Sequence, residues 1–168
     1  IAEKAGGIRF LSRLIGPFFS RIFPDVPKGH PAMGHMMMNF SANLLGLDNA
    51  ATPFGIRAME SLQEINPNKE TASNAQIMFL CLHAAGLTLL PTSIIGYRAA
   101  QGAANPADIM IPTIITSFVG TLSALFIVGF RQRTNLFNWP VMLFVLGISG
   151  VIGGLMAYIT GLTGVQKF

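Results

Sequence analysis

Three long segments of the chain contain no aspartate, glutamate, lysine or arginine, and they limit the possible folds more than any other feature. They cover residues 71–97, 109–130 and 134–166. Because about 20 apolar residues cross the hydrocarbon core of a bilayer as a helix, each segment is long enough to cross once. Only 11% of the residues are charged, against roughly 25% in soluble domains. The sequence therefore predicts an all-α, polytopic membrane protein.

A fourth stretch, Met33–Phe54, begins like a membrane segment but carries many polar side chains. An unsatisfied polar group in hydrocarbon costs several kcal/mol, so these side chains are expected to face protein or water. Two interpretations fit the stretch: a fourth crossing helix, or a re-entrant helical hairpin that enters and leaves the membrane on the same side. The polar side chains belong to Asn39, Ser41, Asn43, Asp48, Asn49 and Thr52.

The positions of the lysines and arginines favour the hairpin, because cytoplasmic loops carry an excess of these residues. With a hairpin, one side of the membrane holds all 11 of them except Arg98 and Lys167. With a crossing, the division between the two sides is more even. The prediction therefore places the amino-terminal arm and the 56–73 loop in the cytoplasm. The basic residues flank apolar segments and form no patch, so nucleic acid is not an expected partner.

The amino-terminal region is predicted to form an amphipathic helix over residues 8–23, with apolar side chains at spacings of three and four. Arg9, Arg13 and Arg21 lie between them. The helix could lie in the headgroup region, or pack on the rest of the protein with its arginines in solvent. Three prolines in residues 23–31 indicate a loop after it.

The segment 71–97 is predicted to be broken by Pro91, which removes a backbone donor and clashes with the carbonyl four residues earlier. Opened helices in membranes can coordinate an ion or a substrate with freed backbone groups. The alternative is a simple kink, in which the hydroxyl groups bond back to the backbone. The hydroxyl residues concerned are Thr88, Thr92 and Ser93.

Four smaller features complete the prediction. His83 is expected to be an interhelical hydrogen-bond partner, and the spacing of the three histidines does not match a metal site. Asp108 is expected to cap the helix that follows it. Trp139 and Tyr158 are expected to be interfacial anchors.

Two runs of sequence closely resemble a known family. NFSANLLGLDNAATPFGIRAME, residues 39–60, and LTLLPTSIIGYRA, residues 87–99, resemble the spore maturation protein A family, whose core is the nucleoside recognition, or gate, domain. The resemblance implies a gate domain over 1–133, preceded in the family by further helices. Residues 134–168 match no motif of the family, and their apolar character predicts an additional transmembrane helix and tail. The resemblance also implies a bacterial inner-membrane protein that works with a second gate protein, spore maturation protein B.

The gate domain is more distantly similar to the core of concentrative nucleoside transporters. In that core, a re-entrant hairpin and a broken helix occur in two inverted copies, which bind the nucleoside and a sodium ion. The resemblance implies that this chain supplies one copy, with its hairpin at 31–55 and its broken helix at 75–97.

Two functions are therefore considered. In the first, the chain is half of a transporter-like or solute-recognition module. The polar residues of the hairpin and of the break bind a small polar solute, with a monovalent cation as the candidate ion and Asp48 as its counter-charge. In the second, the chain is a non-transporting assembly or signalling protein whose polar residues satisfy one another. No nucleophile and base can be placed together, so we expect neither catalysis nor a cofactor.

Overall fold

The computed structural model describes the backbone of residues 7–165 and the side chains of residues 14–47 and 49–158. Within these residues all regular structure is helical, as predicted, and consists of seven α-helices and one short 3-10 helix before α6. The elements are α1 (Gly7–Ile22), α2 (Pro31–Leu44), α3 (Asp48–Glu64), α4 (Asn74–Ala85), α5 (Thr92–Ala100), the 3-10 helix (Pro106–Ile109), α6 (Met110–Arg131) and α7 (Trp139–Val165).

Two stretches of helix in the described part of the chain are long and apolar enough to cross a membrane. They are Pro106–Arg131 and Trp139–Tyr158. The second lies within α7, whose 27 residues extend about 40 Å as a helix, more than the thickness of the hydrocarbon core. Trp139, at the start of α7, is 76% exposed, and Tyr158, seven residues before its end, is 67% exposed. Their role as interfacial anchors stays a prediction.

The predicted break in the segment 71–97 is present. α4 ends at Ala85 and is followed by Gly86 in the left-handed conformation, with φ of +57°. α5 begins only after Pro91, so the five residues between Gly86 and Thr92 are not helical. α4 has 12 residues and a length of about 18 Å, too short to cross a membrane alone. The segment is thus a broken helix and not one continuous span.

α2 and α3 form a helical hairpin whose turn is Leu45–Leu47. Pro31 occupies the first turn of α2, where its missing N–H leaves no carbonyl unpaired. The His30 side chain caps α2 by accepting a hydrogen bond from the Ala32 N–H through Nδ1 at 3.2 Å. The turn is closed by backbone bonds, including Leu47 N–H to the Ala42 carbonyl at 2.9 Å.

α1 packs on the rest of the protein. Ile15, Phe18, Phe19 and Ile22 are buried, whereas Arg21 is exposed. Phe18 stacks on Phe144 of α7 with ring centroids 4.0 Å apart. Of the two positions considered for this amphipathic helix, the structure therefore shows the helix packed on the rest of the protein. Arg21, whose side chain is described, lies outside the core.

Asp108 does not cap α6, contrary to prediction. Its carboxylate accepts a hydrogen bond from Arg98 Nη2 at 2.6 Å. Ile109 is the residue before the first turn of α6, and no side chain caps it. The intervening 3-10 helix moves Asp108 out of the capping position, and its carboxylate forms an ion pair with the guanidinium of Arg98.

The turn of the hairpin is attached to the break between α4 and α5. The Leu44 carbonyl accepts from the N–H groups of Leu89 at 3.0 Å and Leu90 at 3.4 Å. The Gly46 carbonyl accepts from Thr92 Oγ1 at 3.0 Å and Ser93 Oγ at 3.1 Å. These four hydrogen bonds are called the tip clamp below. They satisfy two carbonyls near the end of α2 and two amides of the non-helical segment, which would otherwise be unpaired.

Glycine is required at position 46 for two reasons. Its φ is +64°, and a Cβ placed there would lie 1.9 Å from the Leu90 carbonyl oxygen. A left-handed conformation costs an L-residue roughly 1–2 kcal/mol, and the overlap adds to this cost. The close approach of the hairpin turn to the break therefore depends on the absence of a side chain.

We expect Gly46→Ala to lower the thermal midpoint of the detergent-solubilised protein by more than the backbone strain alone explains. Gly102→Ala is the matched control, because Gly102 also has a positive φ, +74°, but no atom within 4 Å of its Cβ position. Equal losses of stability in the two variants would contradict the close approach at Gly46.

Candidate functional site

The nine predicted site residues do not form one cluster in the structure. Some contact His83, some belong to the tip clamp, and others lie apart from both. Asp48 begins α3, and its side chain lies outside the described residues. The predicted residues are Asn39, Ser41, Asn43, Asp48, Asn49, Thr52, Thr88, Thr92 and Ser93.

Asn39 joins three helices through one amide group. The side chain is only 1% exposed and belongs to α2. Its Nδ2 donates to the Ala51 carbonyl of α3 at 2.7 Å, and its Oδ1 lies 3.1 Å from Nδ1 of His83 on α4. Both ends of the amide therefore hold neighbouring helices in place.

Asn43 lies one helical turn after Asn39 and faces the same imidazole. Its Nδ2 is 3.4 Å from His83 Nδ1. Residues four apart lie on the same face of a helix, which explains why one histidine meets both amides. The imidazole also stacks on Phe79, with ring centroids 6.0 Å apart. Asn39, Asn43 and His83 are called the Asn–His cluster below.

Gly55 allows α3 to approach this cluster. A Cβ at position 55 would lie 3.1 Å from Asn39 Nδ2 and 3.5 Å from His83 Cε1. A contact of 3.1 Å to a Cβ is tighter than ordinary packing, so a larger residue would push α3 away from the amide. Gly55 therefore shapes the site without contributing a functional group.

The hydroxyl residues of the break bond mainly to backbone groups. Thr92 and Ser93 belong to the tip clamp and donate to Gly46. Thr88 Oγ1 donates to the Gly86 carbonyl at 2.8 Å, and the Thr88 backbone N–H donates to Ser117 Oγ of α6 at 3.3 Å. The structure thus brings Thr92 and Ser93 to the hairpin, as predicted, while Thr88 faces α6.

Ser41, Asn49 and Thr52 lie apart from the Asn–His cluster. Ser41 is 0% exposed, and its Oγ has no hydrogen-bond partner among the described residues. It is two positions from Asn39 and from Asn43, which places it on a different face of α2. Asn49 and Thr52 are exposed on α3. These residues do not share a surface with the cluster.

Sequence reasoning identified His83 as an interhelical hydrogen-bond partner, which is confirmed, but left it out of the predicted ligand-binding residues. Gly55 was also not assigned a role. Asn43 and His83 are 40 residues apart, so no local spacing connects them. Only the packing of α4 against the hairpin reveals the cluster.

The chemistry available at the cluster is hydrogen bonding. Two amides and one imidazole offer donors and acceptors but no nucleophile with an adjacent base. No group of three or more histidine, cysteine, aspartate or glutamate side chains able to hold a metal ion occurs in the described part of the chain. The arrangement is suited to binding neutral polar groups or to fixing helices.

Comparisons with known proteins identify the family to which this chain is similar. The family model for Gate, described as nucleoside recognition, matches residues 1–101, which include the hairpin and the broken helix. Spore maturation protein A of Bacillus subtilis (strain 168) is 42% identical over 127 residues, or 76% of this chain. The match spans 65% of the length of that relative. No solved structure matches the chain significantly.

We expect Asn39→Ala to lower the free energy of unfolding by about 1–3 kcal/mol, because it removes the two hydrogen bonds of a buried amide, to the Ala51 carbonyl and to His83 Nδ1. The measurement is unfolding in mixed detergent micelles. Asn49→Ala is the control, since an exposed substitution of this kind changes stability by no more than about 0.5 kcal/mol. Equal stability of the two variants would show that the amide of Asn39 does not hold the helices together.

Proposed function

The chain belongs to the Gate, or nucleoside recognition, family, and from this premise we propose that it is one half of a membrane module that recognises a small polar solute. The second half is a spore maturation protein B-like membrane protein in inverted orientation. The observation that carries the proposal is the tip clamp, which joins a polar hairpin to a broken apolar helix.

The tip clamp supports solute recognition because it holds non-helical backbone against the turn of the hairpin. Within a membrane, irregular backbone is tolerated only where it is buried in protein or lines a cavity that holds water. Residues 87–91 are irregular and lie directly against the hairpin turn. Asn43 precedes Leu44, the acceptor of two clamp bonds, and is half-buried. The half-site thus combines backbone groups with an amide at one place.

The outer face of α3 supports the presence of a second half. Asn49 is exposed, and so is Ile56 at 55% of its surface. Asn49 lies in the first turn of α3, close to the hairpin turn. An amide at the tip of a re-entrant hairpin requires a protein or water surface beside it. We propose that the partner packs on this face and completes the site.

The proposed topology has a re-entrant hairpin, with the amino-terminal arm and residues 56–73 in the cytoplasm. Its support is the distribution of lysine and arginine and the polar character of the α3–α4 turn. In that turn, Lys69 Nζ donates to the Gln63 and Glu64 carbonyls at 2.5 and 3.1 Å. The exposed contacts of Lys69 suit an aqueous surface. Asn66 Nδ2 donates to Gln76 Oε1 at 3.0 Å in the buried part of the turn, which fixes its shape.

The second candidate function is a non-transporting assembly or signalling role that keeps the gate architecture. The observation that favours it is the hydrogen bonding of Asn39, Thr92 and Ser93, whose side chains all have protein partners. Buried polar groups of this kind commonly serve the fold alone. The two functions make different predictions for Asn43, because its one side-chain hydrogen bond to a described residue is long, at 3.4 Å, and leaves the amide available to a solute.

The candidate ion remains a monovalent cation, and the proposal includes neither a cofactor nor a catalytic step. Asp48, in the first turn of α3, is the acidic residue nearest in sequence to the hairpin turn. A carboxylate at this depth would balance the charge of the ion. The proposal therefore assigns Asp48 to the cation and Asn43 to the solute.

We expect a thermal-shift screen against nucleosides, amino acids and sodium to identify a stabilising solute when the protein is purified with its partner. A ligand at 100 times its dissociation constant stabilises the folded state by about 2.7 kcal/mol. Asn43→Ala and Asp48→Asn should express normally and lose this shift. The Asn49→Ala variant tests whether the loss of any amide near the hairpin turn abolishes the shift. A shift that persists unchanged in both of the first two variants would contradict solute recognition at this site.

A further inference from the structure

An apolar groove of about 520 Å³ lies between α1 and α7. None of its lining residues carries a charged, hydroxyl or amide side chain; they include Leu14 and Phe18 of α1 and Trp139, Leu143 and Val151 of α7. From Trp139 to Val151 the helix rises about 18 Å, close to the depth of one leaflet, which is half of a hydrocarbon core of about 30 Å. The groove therefore has the polarity and the length of a site for one lipid acyl chain.

A second pocket, of about 130 Å³, follows the groove toward the end of α1. Phe18 lines the groove, and Ile22, one helical turn later, lines the second pocket. Residues 132–134, which connect α6 to α7, also line it, and Arg133 is one of them. The exposed Arg21 lies between Phe18 and Ile22 on α1. An apolar groove is thus followed by a small polar pocket with two arginines beside it.

The charge around the second pocket favours an anion. Residues 21–25 and 131–134 contain three arginines and a single acidic residue, Asp25. No described residue forms an ion pair or a hydrogen bond with the side chain of any of these three arginines. The planar guanidinium group binds phosphate through two parallel hydrogen bonds. A phosphate group would therefore meet a net positive charge that the described residues leave unpaired.

Arg133 occupies a backbone position where glycine is usual. The Thr134 N–H donates to the Gly129 carbonyl at 2.9 Å and the Arg133 N–H donates to the Phe130 carbonyl at 3.2 Å, the two bonds of a Schellman motif at the end of α6. Its φ of +54° is left-handed, a conformation that is unfavourable for a residue with a Cβ. The chain thus places a guanidinium group at the second pocket despite local backbone strain, and strain of this kind points to a role for the side chain.

We infer that the groove and the second pocket together bind one anionic phospholipid, with its acyl chain along α7 and its phosphate held by Arg21 and Arg133. The bound acyl chain contacts Leu44 and Leu89, which line the groove and whose backbone groups share a hydrogen bond of the tip clamp. The lipid thereby supports the junction of the hairpin and the broken helix from its outer side. This inference is independent of any solute that the protein recognises.

Trp139 provides the measurement, because it lines the groove and is the one tryptophan of the sequence. The full chain is reconstituted in phosphatidylcholine vesicles with a fixed fraction of lipid whose acyl chains carry bromine, which quenches tryptophan fluorescence on contact. We expect brominated phosphatidylglycerol to bind at Trp139 with at least about five times the apparent affinity of brominated phosphatidylcholine, the effect of one basic residue near an anionic lipid.

Substitutions of two arginines test the phosphate site. Arg133→Gly removes the guanidinium group and relieves the left-handed strain, so it should abolish the preference for phosphatidylglycerol without lowering the thermal midpoint. Arg133→Lys keeps a positive charge and should retain part of the preference. Arg131→Gln is the matched control for charge, because Arg131 is exposed and lines neither pocket, and it should retain the preference.

Substitutions of two glycines test the acyl-chain site. Gly147 lines the groove, and no atom lies within 4 Å of its Cβ position. Gly147→Leu therefore fills the groove without a clash and should abolish the preference for phosphatidylglycerol. Gly153 has the same free space but does not line the groove, so Gly153→Leu is the matched control and should leave the preference unchanged.

Equal affinity of the wild type for the two brominated lipids, or a higher affinity for brominated phosphatidylethanolamine, would overturn the inference. A preference that Arg133→Gly or Gly147→Leu leaves intact would also overturn it. Equal losses in Arg131→Gln and Arg133→Gly would replace the site by a general attraction to the charged surface. Absence of quenching by any brominated lipid would show that protein covers the groove and would overturn the inference as well. No solute enters these measurements, so failure here leaves the proposed function standing.

Discussion

The tip clamp is the interaction on which the rest of this architecture depends. A helical turn and a helix break each expose backbone groups that need partners, and here each supplies what the other lacks. The carbonyls of Leu44 and Gly46 receive hydrogen from the break, and Gly46 leaves room for the contact. Two irregularities that would be costly in an apolar environment thereby become one satisfied junction.

The fold could be predicted from the sequence where one residue imposes a strong local constraint. Pro91 predicted a break, since it lacks a donor and its ring excludes the preceding carbonyl. Uncharged length predicted the long apolar helices α6 and α7, and period-three and period-four spacing predicted α1. The prediction that Asp108 caps α6 was wrong. Capping was inferred from neighbouring residues alone, whereas the turn after α5 brings the Arg98 guanidinium to the carboxylate.

The candidate site was less predictable, because its geometry comes from contacts between distant parts of the chain. The amides of the hairpin were visible in the sequence. Their partner His83 lies on another helix, 44 residues after Asn39, so no local pattern connects them. Thr88 was grouped with Thr92 and Ser93 by sequence proximity, yet it faces Ser117 of α6. Thr88 lies in the irregular segment, whereas Thr92 and Ser93 begin α5, so nearness in sequence did not determine a shared surface.

The absence of buried side chains in α5 bears on how easily this helix can be displaced. None of its nine residues is buried, and its first turn is held by the tip clamp while its last turn carries the exposed pair of Arg98 with Asp108. A surface ion pair contributes only about 0–1 kcal/mol. A displacement of α5 about residues 87–91 would therefore break a few hydrogen bonds and one ion pair without uncovering a buried side chain of α5.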